Sequence, residues 1–316
     1  MKKYFFFAAT ALALAACSNN EDENLGNGPV EARITAGVSA PETRANDNVW
    51  EQDAIGVMVT TESSNMADLY KNVKYTTTAN SAAAATFTAS AGEGIFFQDA
   101  SETVTFAAYA PYQPSAANAL PGTNGVITGS TADQGDRTKQ KAFDYIYASG
   151  ATATRGNPTV EFKEANAFAH KMTRLVIIVK TSAQDGFTAS DVTSGTYSLS
   201  GLNHSGQFDV TTGAAQVTGT TATDDWSLTT NSLKIGGTDQ VTFTSILYPQ
   251  TLTNNLTFKA VIDGQTYTNN TIKPELEAGK STTVTITAKK TGLTVSGCTV
   301  SEWDKTNNIY TGDATM

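Results

Sequence analysis

Cys17 is the residue of this chain with the clearest chemistry. It follows Leu12-Ala13-Leu14-Ala15-Ala16, and ahead of these lie Lys2, Lys3 and an apolar run that begins at Phe5. Two lysines, about a dozen apolar residues and small residues before a cysteine have the layout of a secretory signal, whose apolar core is too short to span a bilayer. The cysteine makes it a bacterial lipobox, in which a peptidase cuts before the cysteine and the thiol takes diacylglycerol. Each buried acyl methylene is worth roughly 0.8 kcal/mol, so several chains on one residue anchor a protein far more firmly than one myristoyl chain. Residues 1–16 are therefore predicted to be a discarded signal peptide, with lipidation at Cys17 and attachment to a membrane through lipid.

Other reactive constellations are scarce. The chain has two histidines, His170 and His204, and two cysteines, Cys17 and Cys298, so neither a His-rich metal cluster nor a CxxC pair can form. GxSxG, GxxxxGK[ST], GxGxxG after a strand, and HExxH are all absent from the sequence. His170 stands in Phe168-Ala169-His170-Lys171-Met172 before the most apolar run of the chain and reads as a structural histidine; His204, before Ser205-Gly206, reads as turn. Thirty acidic residues make some carboxylate pair unavoidable, so such a pair carries no weight for glycoside hydrolysis. No cofactor and no metal are expected, and the chain reads as a non-enzyme. A net charge of -9 without a basic run beyond Lys289-Lys290 argues against a nucleic-acid partner.

The elements that carry these residues read as strands. Leu256, Phe258, Ala260 and Ile262 alternate with Thr257, Lys259 and Val261, and Val284 and Ile286 alternate with threonines, the period-2 signal of a half-buried strand. Val104-Thr105-Phe106 and Val241-Thr242-Phe243 repeat the theme, and the branched Cβ of threonine suits a pleated surface. Leu175-Val176-Ile177-Ile178-Val179 is apolar on both faces, as expected for a central strand. Turn signals punctuate the runs, among them Pro121-Gly122, Gly156-Asn157-Pro158 and Asp263-Gly264. Only Asn65 to Lys71 and Ala165 to Lys171 hint at helix. The expected architecture is all-β, two tandem sandwiches joined near Gly156 to Pro158. Residues 17–45 form a polar tether and a first strand, residues 46–157 the N-terminal sandwich and residues 158–316 the C-terminal one.

Three segments resemble a known family. They are Thr43-Arg44-Ala45 followed by Trp50-Glu51-Gln52-Asp53-Ala54-Ile55-Gly56-Val57; Phe106-Ala107-Ala108-Tyr109-Ala110-Pro111-Tyr112; and Phe168-Ala169-His170 running into Leu175 to Val179. With the lipobox and the closing Gly292-Leu293-Thr294-Val295 and Glu302-Trp303, they resemble the fimbrillin family of type V pilins and accessory subunits. That resemblance implies two transthyretin-like β-sandwiches and a pilus subunit exported as a lipoprotein to the outer membrane surface. It also implies that a surface protease cuts after an arginine and removes the first strand. Other copies or related pilin subunits then fill the open edge, as β-strand addition allows, to build a fimbrium that serves adhesion.

Carried onto this sequence, the resemblance makes Arg44 the candidate cleavage residue, with Arg33 the alternative. The strand removed is Glu31 to Val38, with Ile34, Ala36 and Val38 on one face, and the donor strand falls within Leu293 to Tyr310, with Leu293, Val295, Val300 and Trp303 as its candidate side chains. Gly297 interrupts the alternation there and leaves the register open. The alternative reading is a permanently anchored surface lipoprotein that binds glycans, with Trp226 as a stacking platform.

Overall fold

The computed structural model describes residues 28–37 and 50–303, apart from positions 52, 62–63, 100 and 222–223. Cys17, Val38, Arg44 and the tail beyond Trp303 lie outside the described residues. Among the described residues, no helix is long and apolar enough to cross a membrane.

The chain is all-β, and its sheets enclose three apolar clusters. The first lies between a five-stranded sheet, ordered Ala169–His170, Ile146–Ala153, Val104–Ala110, Ala54–Val59 and Val73–Thr76, and a three-stranded sheet, ordered Thr159–Phe162, Arg33–Gly37 and Ala84–Phe87. The second lies between the sheet Leu233–Gly236, Gln240–Leu247, Thr173–Lys180, Lys280–Lys289, Gly292–Glu302 and the sheet Trp226–Ser227, Thr196–Ser200, Leu256–Ile262, Gln265–Ile272. Leu256–Ile262 buries every second residue, as its alternation requires, and Thr173–Lys180 is the middle strand of its sheet.

The third cluster joins the two halves. Val104, Phe106 and Ala108 enter the first cluster, while Ala107 and Tyr109 of the same strand turn the other way, beside Met58, Tyr145, Phe208, Ile246 and Tyr248. Alternate residues of one strand leave opposite faces, so a strand covered on both faces reads as a nearly continuous apolar run, and Val104–Ala110 does so from Phe106 onward, with the half-buried Thr105 at its start. Val126–Ser130 of the first half also pairs with Ser205–Asp209 of the second, which pairs in turn with Ala214–Val217. Buried Gln134 accepts from Ile246 N at 2.6 Å and donates to Ile246 O at 2.8 Å, tying the segment before the Arg137–Phe143 helix to the second half.

The join expected near Gly156 to Pro158 is not where the packing changes. Thr159–Phe162 pairs in parallel with Arg33–Gly37, and Val160, Phe162 and Phe168 are buried in the first cluster; the change of core falls between Phe168 and Leu175. Gly156-Asn157-Pro158 is a turn inside the first half, because the strand after it completes a sheet begun by Arg33–Gly37.

Candidate functional site: the first strand and its groove

Arg33-Ile34-Thr35-Ala36-Gly37 forms a strand with a partner on either side. Ile34 stands opposite Phe87 and Val160, and Ala36 opposite Ala85 and Phe162. Arg33 is exposed, Thr35 half-buried, and Ile34 and Ala36 are buried, so the period-2 pattern delivers one face to the core. Burying Ile34 fully is worth about 1.5–3 kcal/mol.

The floor beneath this strand is aromatic. Trp50 meets Phe87 edge-on at 4.9 Å and Phe168 at 5.3 Å, and Phe162 meets Phe168 at 5.6 Å. The Trp50 indole N–H donates to Ala36 O at 3.0 Å, so a fully buried side chain grips the strand by its backbone. Further main-chain bonds lengthen the ladder: Ala32 N to Ile95 O at 2.8 Å, Arg33 N to Pro158 O at 2.9 Å and Phe168 N to Gly37 O at 3.1 Å. Upstream, Val30–Glu31 pairs with Phe96–Phe97. Removal of residues 30–37 would leave an apolar groove with unpaired N–H and C=O groups along both walls, a template for another strand.

The two candidate cleavage residues differ sharply. Arg33 opens the inserted strand, its N–H bonded to Pro158 O, so a protease reaches its peptide bond only after local opening. A cut after Arg33 would also leave Ile34 and Ala36 seated and open no groove at their positions. Arg44 lies outside the described residues, between the inserted strand and Trp50.

Leu293, Val295 and Val300 sit in Gly292–Glu302, the edge strand of the second half, antiparallel to Lys280–Lys289. Leu293 and Val295 pack against the second cluster, whereas Val300 is 42% exposed. The interruption at Gly297 is a β-bulge: Gly297 faces Thr285 and Val295 faces Ile286, with Ser296 the extra residue. Cys298 is exposed on this strand. Trp303 leaves the pattern of the others, since it is buried in the third cluster, far from a solvent-facing position.

The remaining singled-out side chains are structural. His170 is buried, with Nδ1 2.8 Å from Asp144 Oδ1. Trp226 is 8% exposed and its indole N–H donates to Ala132 O at 2.7 Å, with His204 against its ring, so it offers no platform for a sugar. That removes the residue on which the glycan-binding alternative stood. Among the described residues no group of three or more His, Cys, Asp or Glu side chains could hold a metal ion. Sequence reasoning missed the role of Trp50, for which the signal was a lone tryptophan after a polar stretch; nothing in the sequence names Ala36 as its acceptor.

The chain is all-β and, among the described residues, completes a sheet over an aromatic floor with Arg33–Gly37, a strand near its N-terminus. The profile of the Fimbrillin-like family matches residues 43–303, and the chain belongs to that family. A Bacteroides uniformis protein named as fimbrium subunit Fim1C is 31% identical over 205 residues, 63% of this chain and 62% of that protein. The match thus spans less than two thirds of that relative's length. A crystal structure from Bacteroides uniformis, described as a cell-adhesion protein, superposes with a TM-score of 0.67 at 28% identity, covering 88% of this chain and 100% of the other. A second, from Bacteroides ovatus and described in the same way, gives 0.66 at 26% identity, covering 88% and 97%. The chain is accordingly a structural subunit and not an enzyme.

Proposed function

We propose that this chain is a fimbrial subunit, exported as a surface lipoprotein through Cys17 and assembled by strand exchange once a protease has cut after Arg44. The observation that carries this reading is the placement of Arg33–Gly37 as the middle strand of its sheet, held by Trp50 and two ladders. Loss of a strand so placed, near the N-terminus, would open a core without unravelling the sequence that follows. Its replacement by a strand from a neighbouring subunit restores both ladders and the buried face, which gives a long-lived joint without a disulfide. Family membership and the relatives named for fimbria and cell adhesion support the same reading. In it, the filament stands on the outer membrane surface and serves adhesion, with related pilin subunits as its partners.

Mass spectrometry of the protein taken from the cell surface tests this. A mature N-terminus at Ala45 together with ladders of joined subunits is the expected result. A monomer still acylated at Cys17 would mean a permanently anchored lipoprotein.

A further inference from the structure

The groove places demands on its occupant, and the chain's own C-terminal residues do not meet them. Three successive inward positions of the seated segment are Ala32, Ile34 and Ala36, exposed by 3%, 0% and 2%. All three belong to the first apolar cluster, so each is packed against its neighbours there. Ala36 is confined between Ala85 and Phe162, with the Trp50 indole donating to its carbonyl, and Ala32 is held by its own N–H on Ile95 O. Interiors are close-packed, so a long side chain at either alanine position forces the aromatic floor apart, whereas a small one at the isoleucine position leaves a void. The inward pattern fixes the register as well, because sliding by one residue turns the inward face outward and sliding by two puts the aliphatic side chain over an alanine site.

The C-terminal stretch from Gly292 to Met316 contains no such triplet. Val295 is flanked two residues away by Leu293 and Gly297, Val300 by Cys298 and Glu302, and Ile309 by Asn307 and Thr311. Leu293 has Thr291 and Val295 at those positions. Each register therefore puts a bulky, charged or amide side chain where the groove holds alanine, and a desolvated charge or amide is costly without a partner.

Resting on the strand-exchange reading above, we infer that this groove accepts a strand patterned small, branched aliphatic, small at alternate positions, and that the donor is a strand of that pattern on a neighbouring subunit and not the 292–316 stretch of a second copy. In that joint Trp50 would hold the incoming strand by a backbone carbonyl, as it holds Ala36 O here, while the small and branched positions set the register.

The test uses the full chain with a specific protease site inserted in the segment between Gly37 and Trp50, nicked so that the first strand is held without a covalent link. Four peptides are offered in turn: residues 30–37, the same peptide with Ala36→Leu, residues 292–303, and residues 292–316. Native mass spectrometry follows displacement of the N-terminal fragment. The 30–37 peptide is expected to exchange in, the Ala36→Leu peptide to bind about tenfold more weakly or worse, and both C-terminal peptides to stay free. Exchange of either C-terminal peptide as readily as the 30–37 peptide overturns the inference and leaves strand exchange standing. Failure of the 30–37 peptide itself to exchange overturns both.

Discussion

The indole of Trp303 lies flat on the imidazole of His170, their ring centroids 4.3 Å apart and their planes 4° from parallel. His170 belongs to the edge of the first half's five-stranded sheet, and Trp303 follows the edge strand of the second half's sheet, so one stack closes the seam between them. The Arg174 guanidinium lies 5.5 Å from the centre of the same indole, and Trp303 N donates to Gly279 O at 2.9 Å. Trp303→Ala removes this stack and leaves a void in the third cluster, at a cost of about 3–5 kcal/mol. Urea unfolding measures the loss. Hydrogen exchange should quicken along Gly292–Glu302 more than along the central Thr173–Lys180; equal change in both would show that Trp303 holds no particular strand.

Trp50→Phe separates the two contributions of that tryptophan. A phenyl ring retains most of the contact with Phe87 and Phe168 but has no N–H to give Ala36 O. Leaving a buried acceptor without its donor costs about 1–3 kcal/mol. Amides of Ile34 to Gly37 should exchange faster in the variant, while those of Val104–Ala110, on the opposite sheet, hardly change. Unaltered protection of Ile34 to Gly37 would mean that the indole N–H does not hold the strand.

The sequence made the strands legible where one face is wet and the other dry. Leu256–Ile262 alternates and forms as expected, and Leu175 to Val179, apolar throughout, is a central strand. Ile34 and Ala36 were legible as one face for the same reason. The position of the join was not, because a Gly-Asn-Pro turn looks the same within a domain as between domains; only the parallel pairing of Thr159–Phe162 with a strand some 125 residues earlier assigns it to the first half. Long-range pairing leaves no local trace. The helical hint over Asn65 to Lys71 holds the short helix Met66–Leu69, whereas Ala165 to Lys171 gives a strand at Ala169–His170; the helices Arg137–Phe143 and Ala189–Ser194 were missed although their caps are in the sequence: Asp136 accepts from Lys139 N, and Thr188 and Asp191 cap one another. Threonine-rich surroundings masked them. Trp226 misled because a tryptophan beside two aspartates looks exposed, whereas its ring folds back on His204.

His204 should make stability fall in mild acid. Burial pushes its imidazole down from 6.5 to about 4, opposed by its hydrogen bond with Thr131. Below the unfolded value the unfolded chain takes up a proton that the folded chain refuses. The stability is therefore complete above about pH 7 and drains away as the pH falls from 6.5 toward about 4, by on the order of 2–3 kcal/mol. Carboxylates add their own slope, so the comparison is with His204→Gln, which lacks the titrating ring. Denaturation midpoints at several pH values between neutral and mildly acid should converge for the two proteins as pH drops. Parallel curves would mean that folding leaves the proton affinity of His204 unchanged.

Arg44→Ala tests where the first strand is released. A cut after Arg44 severs the whole inserted segment from Trp50 onward, so that residues 30–37 can leave together, whereas a cut after Arg33 keeps Ile34 and Ala36 at the new N-terminus and in place. The Arg33 N–H is also bonded to Pro158 O, and cleavage there waits on opening of the sheet. Cells carrying Arg44→Ala should therefore accumulate the acylated precursor and lose assembled ladders, and cells carrying Arg33→Ala should process and assemble normally. Immunoblots of surface fractions with N-terminal sequencing read both. Normal processing in Arg44→Ala with a block in Arg33→Ala would move the cut into the sheet, and the groove would then have to open at Val30–Glu31 alone, where two residues pair with Phe96–Phe97 and too little backbone is exposed to hold a donor.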